Sequence, residues 1–252
     1  MSVVAITGAS AGIGEAIARQ YAKRGHQLFL GARRTERLSA MQAELLDLGA
    51  ASVRFEELDV RSDDSVTAWA REAFACHSQV HILINNAGLV LGLDTVENGS
   101  IEDWATVIDT NVMGILRVCR HFVPKFRAQN LGHVVMIGSI AGHQVYEGGS
   151  AYCASKFGLK AITRSLRLEL NGTAVRVSTV DPGMVETEFS IVRFRGDAQK
   201  ASQVYKGVEP LRAQDIAECV EFVTSRPAHV NIDEILVLPT DQASVSKVSR
   251  KT

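Results

Sequence analysis

A short apolar run, Val3–Thr7, passes directly into Thr7-Gly8-Ala9-Ser10-Ala11-Gly12-Ile13-Gly14 and from there into a segment of helical periodicity. Few folds accept that order. The glycines permit a tight turn and let main chain approach an anion, while the start of the next helix offers unpaired N–H groups. A glycine turn alone is a weak signal. Between a strand and a helix it marks the phosphate-binding corner of a nucleotide-binding α/β fold. The spacing is G-x3-G-x-G rather than the commoner G-x-G-x-x-G.

The rest of the chain repeats the alternation. Residues 12–24 read as a helix, with Ile13, Ala16, Ile17 and Tyr21 on one face. Strand-like runs follow at 28–31, 53–57, 80–84, 134–137, 175–180 and 235–238. Between them lie helical patterns ending at Leu48 and over 66–75, 101–129 (tightened near Pro124), 150–170 and 213–223. Such alternation predicts a parallel sheet with helices on both faces. No linker composition and no repeat interrupts it. The expectation is a single doubly wound α/β domain over 1–252, with residues 182–212 as an excursion over the substrate, because periodicity fails from 181 to 210.

Composition excludes several other classes. Hydrophobic residues make up 46% and charged residues 22%, enough for a large core and too apolar for disorder. A net charge of −1 gives no footprint for nucleic acid or an anionic membrane. No apolar run approaches the roughly 18 residues of a spanning helix, and the first residues lack a signal-peptide pattern. Four scattered cysteines without a CxxC pair suggest reduced thiols and a cytoplasmic location. Seven histidines show no ligand spacing, so no metal is expected.

After the second strand, NAD-selective enzymes place an acid on the ribose 2′-hydroxyl. This chain reads Gly31-Ala32-Arg33-Arg34-Thr35-Glu36. Two guanidiniums suit a 2′-phosphate, which predicts NADP(H); the competing reading is a pair of helix-start charges, disfavoured by the dipole.

Further along, Ser139 precedes Ser-Ala-Tyr-Cys-Ala-Ser-Lys-Phe, in which Tyr152 and Lys156 are four residues apart. On a helix they share a face. A free tyrosine has a pKa of about 10, and a nearby ammonium favours its phenolate. The pair therefore reads either as an exposed helix pair or as a proton-transfer centre.

With Asn85-Asn86-Ala87-Gly88, Asn111, Ser139, Tyr152, Lys156 and Pro182-Gly183, the chain resembles the short-chain dehydrogenase/reductase family over nearly its whole length, implying a Rossmann-type sheet. The resemblance implies Tyr152 as general acid/base and Ser139 as the group holding the substrate oxygen. Lys156 would bind the nicotinamide ribose and lower the tyrosine pKa, and Asn111 would steady a proton-relay water through its helix backbone. The cofactor bed would comprise Gly8, Ala9, Ser10, Ala11, Gly12, Ile13, Gly14, Arg33, Arg34, Asp59, Val60, Asn86, Ala87, Gly88, Tyr152, Lys156, Pro182, Gly183, Val185 and Thr187.

Segments 88–92, 104–111, 186–193, 227–232 and 238–240 are similar to the NADP-dependent 3-hydroxy acid dehydrogenases, which include serine 3-dehydrogenases. That subgroup implies a small anionic substrate and a homotetramer. Ser139, Tyr146, Tyr152 and Arg193 are the candidate substrate contacts, with Arg195 an alternative cation. Glu147 departs from the subgroup; inward it would attract an amino group, outward it is a solvated acid. His143 is a further candidate for the pocket wall. Two other functions remain open: reduction of bulkier ketones, aldehydes or a biosynthetic intermediate, and NADP binding without turnover.

Overall fold

The computed structural model describes residues 1–251; Thr252, the last residue of the expected domain, lies outside the described residues. Its first half alternates strictly: β1 (Val3–Thr7), α1 (Gly12–Lys23), β2 (Gln27–Ala32), α2 (Thr35–Asp47), β3 (Ser52–Glu57), α3 (Asp63–Cys76) and β4 (Ile82–Asn85). Then come α4 (Ile101–Ile108), a π-helical stretch (Asp109–Met113), α5 (Gly114–Gln129), β5 (Gly132–Ile137), a 3₁₀ turn (Ile140–Gly142) and α6 (Ser150–Glu169). The remainder is β6 (Val175–Pro182), β7 (Val185–Glu186), α7 (Phe189–Arg193), α8 (Ala198–Gln203), β8 (Leu211–Arg212), α9 (Ala213–Thr224) and β9 (Glu234–Val237).

Seven strands form one parallel sheet in the order β3-β2-β1-β4-β5-β6-β9. Strand alternation divides its side chains between two cores. Val4 and Ile6 face the layer containing Ile17, Leu38 and Ile216, whereas Val3 and Ala5 face the layer containing Trp69, Phe122 and Leu159. Both faces are therefore apolar, which is why the strands read as unbroken hydrophobic runs. The strand order reverses between β1 and β4, and at such a switch point a crevice opens beyond the carboxyl ends of the strands.

Three sequence expectations need correction. The long helix is not tightened at Pro124, which lies inside α5. The departure from α geometry comes earlier, where Gly114 N–H reaches five residues back to Asp109 O. The fourth strand ends at Asn85 rather than Ile84, because Asn85 pairs with Met136. The excursion is not irregular throughout: β7 pairs with β8, and two short helices lie between them. Alternating charges and aromatics hid elements of five and six residues.

Candidate active site

The crevice at the switch point has a volume of about 780 Å³ and runs from the glycine turn to Tyr152. Its floor is set by residues with no room for a side chain. Gly8 has φ +67°, and a Cβ there would lie 2.9 Å from Ala87 Cα. A Cβ on Gly14 would stand 2.4 Å from the Gly8 carbonyl oxygen. Asn86 stitches this corner together: its Nδ2 donates to Thr7 O and Gly8 O at 3.0 Å, and its N–H donates to Thr7 Oγ1 at 3.0 Å. The turn is thus held open with main chain facing the crevice.

Ser10, Ala11, Gly12 and Ile13 continue this wall, Asp59, Val60, Ala87 and Gly88 line the next stretch, and Pro182, Gly183, Val185 and Thr187 line the opposite side. Of the remaining predicted positions, Ala9 is buried in the core below the turn. Asp59 is held below the usual carboxylate range, chiefly by its bidentate pairing with Arg61.

At the edge of β2, Arg33 is exposed and Arg34 half-buried, both on the crevice. Arg34 Nη1 bonds Glu188 Oε2 at 3.0 Å, and Arg37 Nη1 bonds Glu188 Oε1 at 2.7 Å. Arg37 and then Arg34 hold the Glu188 carboxyl below its ordinary range. These pairs tie the excursion across the crevice mouth. A glycine floor, main-chain N–H groups at a helix start and two arginines at the far edge fit a dinucleotide bearing an extra phosphate.

At the other end, Ser139 and Tyr152 face each other. Ser139 caps the 3₁₀ turn, its Oγ accepting from Ala141 N at 3.1 Å. The Tyr152 ring lies 5.8 Å from the Phe189 ring, which closes the site from the excursion. Burial pushes the Tyr152 phenol upward, opposed first by its hydrogen bond with Ser139. Lys156 is buried, donates from Nζ to Ile137 O at 2.9 Å, and lies 5.8 Å from the Tyr152 ring centroid. Burial pulls its ammonium down to about 8, against the opposing charge of Asp181.

The expected lowering of the tyrosine pKa by Lys156 is therefore not found in the protein alone. Desolvation of the phenolate dominates, and the Lys156 ammonium is engaged by the Ile137 carbonyl. A protonated Tyr152 is equipped to donate a proton to a carbonyl oxygen held by Ser139.

Asn111 is buried in the π-helical stretch rather than aimed into the crevice. Its Oδ1 accepts from Leu89 N at 2.9 Å, and its Nδ2 donates to Leu89 O and Ser155 Oγ at 2.8 and 3.0 Å. The π geometry and the side-chain clamp together join this helix to the loop after β4 and to α6.

Tyr146 and Arg193 meet over the pocket. Arg193 Nε donates to Gly92 O at 3.1 Å and Nη2 to Tyr146 Oη at 3.2 Å, with the guanidinium 5.4 Å from the tyrosine ring centroid. Arg195 is instead exposed and paired with Asp103 at 2.5 Å. Glu147 is exposed at the pocket rim. His143 turns away from the pocket, its Nε2 2.6 Å from Asp181 Oδ2. The fold also brings Glu234 to His143 and Asp181, a trio that scattered sequence positions concealed. Lys160 Nζ bonds both His143 Nδ1 and Glu234, so an ammonium serves these acceptors.

Sequence reading placed Glu188 and Phe189 in the segment along the site but did not show the pairing of Glu188 with Arg34 and Arg37, the packing of Phe189 on Tyr152, or the part of Gln242. Glu188 lies 154 positions from Arg34, and no local pattern links them. Gln242 Oε1 accepts from Met184 N at 2.8 Å and so fixes the bend beside Gly183.

A nucleotide crevice ending in a serine, a tyrosine and a buried lysine defines an oxidoreductase acting on CH–OH groups. The short chain dehydrogenase family matches residues 2–197, and the chain belongs to that family. It is 41% identical over 242 residues to the NADP-dependent 3-hydroxy acid dehydrogenase YdfG of Salmonella typhi, covering 96% of each chain. It is 43% identical over 249 residues to the NADP-dependent 3-hydroxy acid dehydrogenase of Schizosaccharomyces pombe, covering 98% of this chain and 96% of that one. Among solved structures, the closed form of a serine dehydrogenase complexed with NADP+ superposes with a TM-score of 0.92 at 39% identity, over 99% of this chain and 100% of that one. No helix among the described residues is long and apolar enough to cross a membrane.

Proposed function

We propose that the protein transfers hydride between NADP(H) and the hydroxyl-bearing carbon of a small 3-hydroxy acid of the serine, allo-threonine or 3-hydroxypropionate type. The observation that carries this reading is one continuous crevice with Arg33 and Arg34 at one end and Ser139, Tyr152 and Arg193 at the other. The glycine turn would hold the pyrophosphate, Arg33 and Arg34 the 2′-phosphate, and Lys156 the nicotinamide ribose. When bound, the nicotinamide supplies or accepts the hydride. Ser139 donates a hydrogen bond to the substrate oxygen, and Tyr152 gives that oxygen its proton in reduction or removes it in oxidation. Phe189 and the rest of segment 182–212 exclude water from the exchange.

Arg193 would receive the substrate carboxylate. Nε and Nη2 are engaged by Gly92 O and Tyr146 Oη, which fixes the guanidinium on the crevice wall as a cation for a carboxylate. Replacing Arg193 with alanine should raise KM for a 3-hydroxy acid by about tenfold or more, the usual weight of a hydrogen bond to a charged group. KM for a neutral alcohol of the same length should change little. Measured KM ratios that stay the same for the two classes would remove Arg193 from this role.

The finer reading extends to a cytoplasmic homotetramer, with Leu116, Phe157 and Leu168 as exposed apolar side chains on α5 and α6. Sedimentation of the purified protein checks the assembly; a monomer would contradict it.

A further inference from the structure

The turn that carries Ser139 is gripped at both ends. Before it, Gly138 N–H donates to Val180 O at 2.9 Å. Asp181, the next residue of β6, is 3% exposed and fills the space over Gly138, where a Cβ would clash with its Oδ1. After the turn, His143 Nε2 lies 2.6 Å from the other oxygen of that carboxylate, Oδ2. One buried acid thus touches both the residue before Ser139 and the residue that closes the 3₁₀ turn.

The turn in turn directs the hydroxyl. Ser139 Oγ accepts from Ala141 N at 3.1 Å, so its position follows the main chain of the turn. Gly142 N–H donates to Ser139 O at 2.9 Å, and a Cβ on Gly142 would lie 2.9 Å from Lys156 O, which seats the turn closely on α6.

His143 is itself held from a third side. Lys160 Nζ can only donate, so His143 Nδ1 accepts its bond at 3.0 Å and Nε2–H donates to Asp181. Glu234, at the start of β9, pairs with Lys160 at 3.0 Å and keeps that ammonium in place. Burial pushes the Asp181 carboxyl upward, opposed first by the His143 bond. A carboxylate at that depth is costly without such a donor, so losing His143 would free both the acid and the turn.

We propose that His143, bonded to Asp181 and Lys160, is a positioning residue that holds the Ser139 turn in register with Tyr152 and so sets where Ser139 meets the substrate oxygen. The proposal rests on Ser139 holding that oxygen and is independent of which CH–OH compound is turned over. A displacement of about 1 Å near a reacting group can cost about a hundredfold in rate. The loss should stay below that of Ser139→Ala, because a misplaced serine approaches a missing one.

The test is a cycle of wild type, His143→Leu, Ser139→Ala and the double variant, with His143→Gln as the conservative change. kcat, KM and NADPH affinity are measured with any alcohol or ketone that wild type turns over. Ser139→Ala should lower kcat by about a hundredfold or more. His143→Leu should lower kcat by about tenfold while NADPH affinity stays close to wild type. His143→Gln, whose amide can donate to Asp181 and accept from Lys160, should recover most of kcat. In the Ser139→Ala background, His143→Leu should change kcat by less than about twofold, because the group it positions is gone.

Equal losses from His143→Leu in the two backgrounds would overturn the proposal, as would an unchanged kcat in His143→Leu alone. If His143→Leu does not fold, Asp181→Asn takes its place in the cycle. A neutral acceptor weakens the His143 bond, so kcat should fall by about threefold with Ser139 present and stay level without it. Equal losses in the two backgrounds overturn the proposal there too. A Ser139→Ala protein as active as wild type would remove the Ser139 role and the proposal with it, a result distinct from equal losses.

Discussion

Replacing Tyr152 with phenylalanine should lower kcat by about a hundredfold to ten-thousandfold, the range lost with a positioned general acid or base. NADPH affinity should remain close to wild type. The ring would still pack beside Phe189, since the change removes only the hydroxyl that meets Ser139. In the protein alone, burial favours the protonated phenol, which suits proton donation to a carbonyl. The deficit should therefore appear in carbonyl reduction as well as in oxidation of the alcohol. Steady-state rates in both directions, with NADPH binding measured alongside, check this. A variant that keeps kcat within a few-fold would remove Tyr152 from proton transfer.

The second large effect concerns cofactor choice. A double Arg33→Ala, Arg34→Ala protein should bind NADPH about a hundredfold or more weakly, while NADH affinity changes only a few-fold. Each charge-assisted bond to a phosphate contributes about 1.5–3 kcal/mol, and tenfold corresponds to about 1.4 kcal/mol. Arg34 is already oriented across the crevice by Glu188 at 3.0 Å, so little side-chain freedom is lost when an anion arrives beside it. Arg33, exposed at the same edge, is the freer of the two. Binding titrations with both dinucleotides give the ratio. Equal losses for NADPH and NADH would mean that the arginines serve the fold or the excursion rather than the 2′-phosphate.

Most of the fold was legible because the sheet is buried on both faces. Val3, Val4, Ala5 and Ile6 are apolar without interruption since alternate residues enter opposite cores. The glycine turn was legible for a steric reason: at Gly8 and Gly14 there is no space for a Cβ. What could not be read were contacts made across long sequence separations. Glu188 meets Arg34 and Arg37 only because the excursion folds back over the edge of β2. The π-helical stretch was hidden for another reason. Asp109 to Met113 carry ordinary helical periodicity, and the extra residue per turn appears only when Asn111 reaches across to Leu89. Spacing put Lys156 near Tyr152 but says nothing of desolvation, which in the protein alone pushes the phenol up and the ammonium down. The line from Asp181 through His143 to Glu234 joins four elements and leaves no trace as a motif.

The most direct test is turnover by the purified protein, supplied separately with NADP and with NAD, on L-serine, 3-hydroxypropionate and neutral alcohols of matching length. The expected result is NADPH formation with the 3-hydroxy acids, faster than with the neutral alcohols, slow with NAD, and lost in Tyr152→Phe. No NADPH from any 3-hydroxy acid, together with rapid NADP-dependent reduction of bulky neutral ketones, would contradict it.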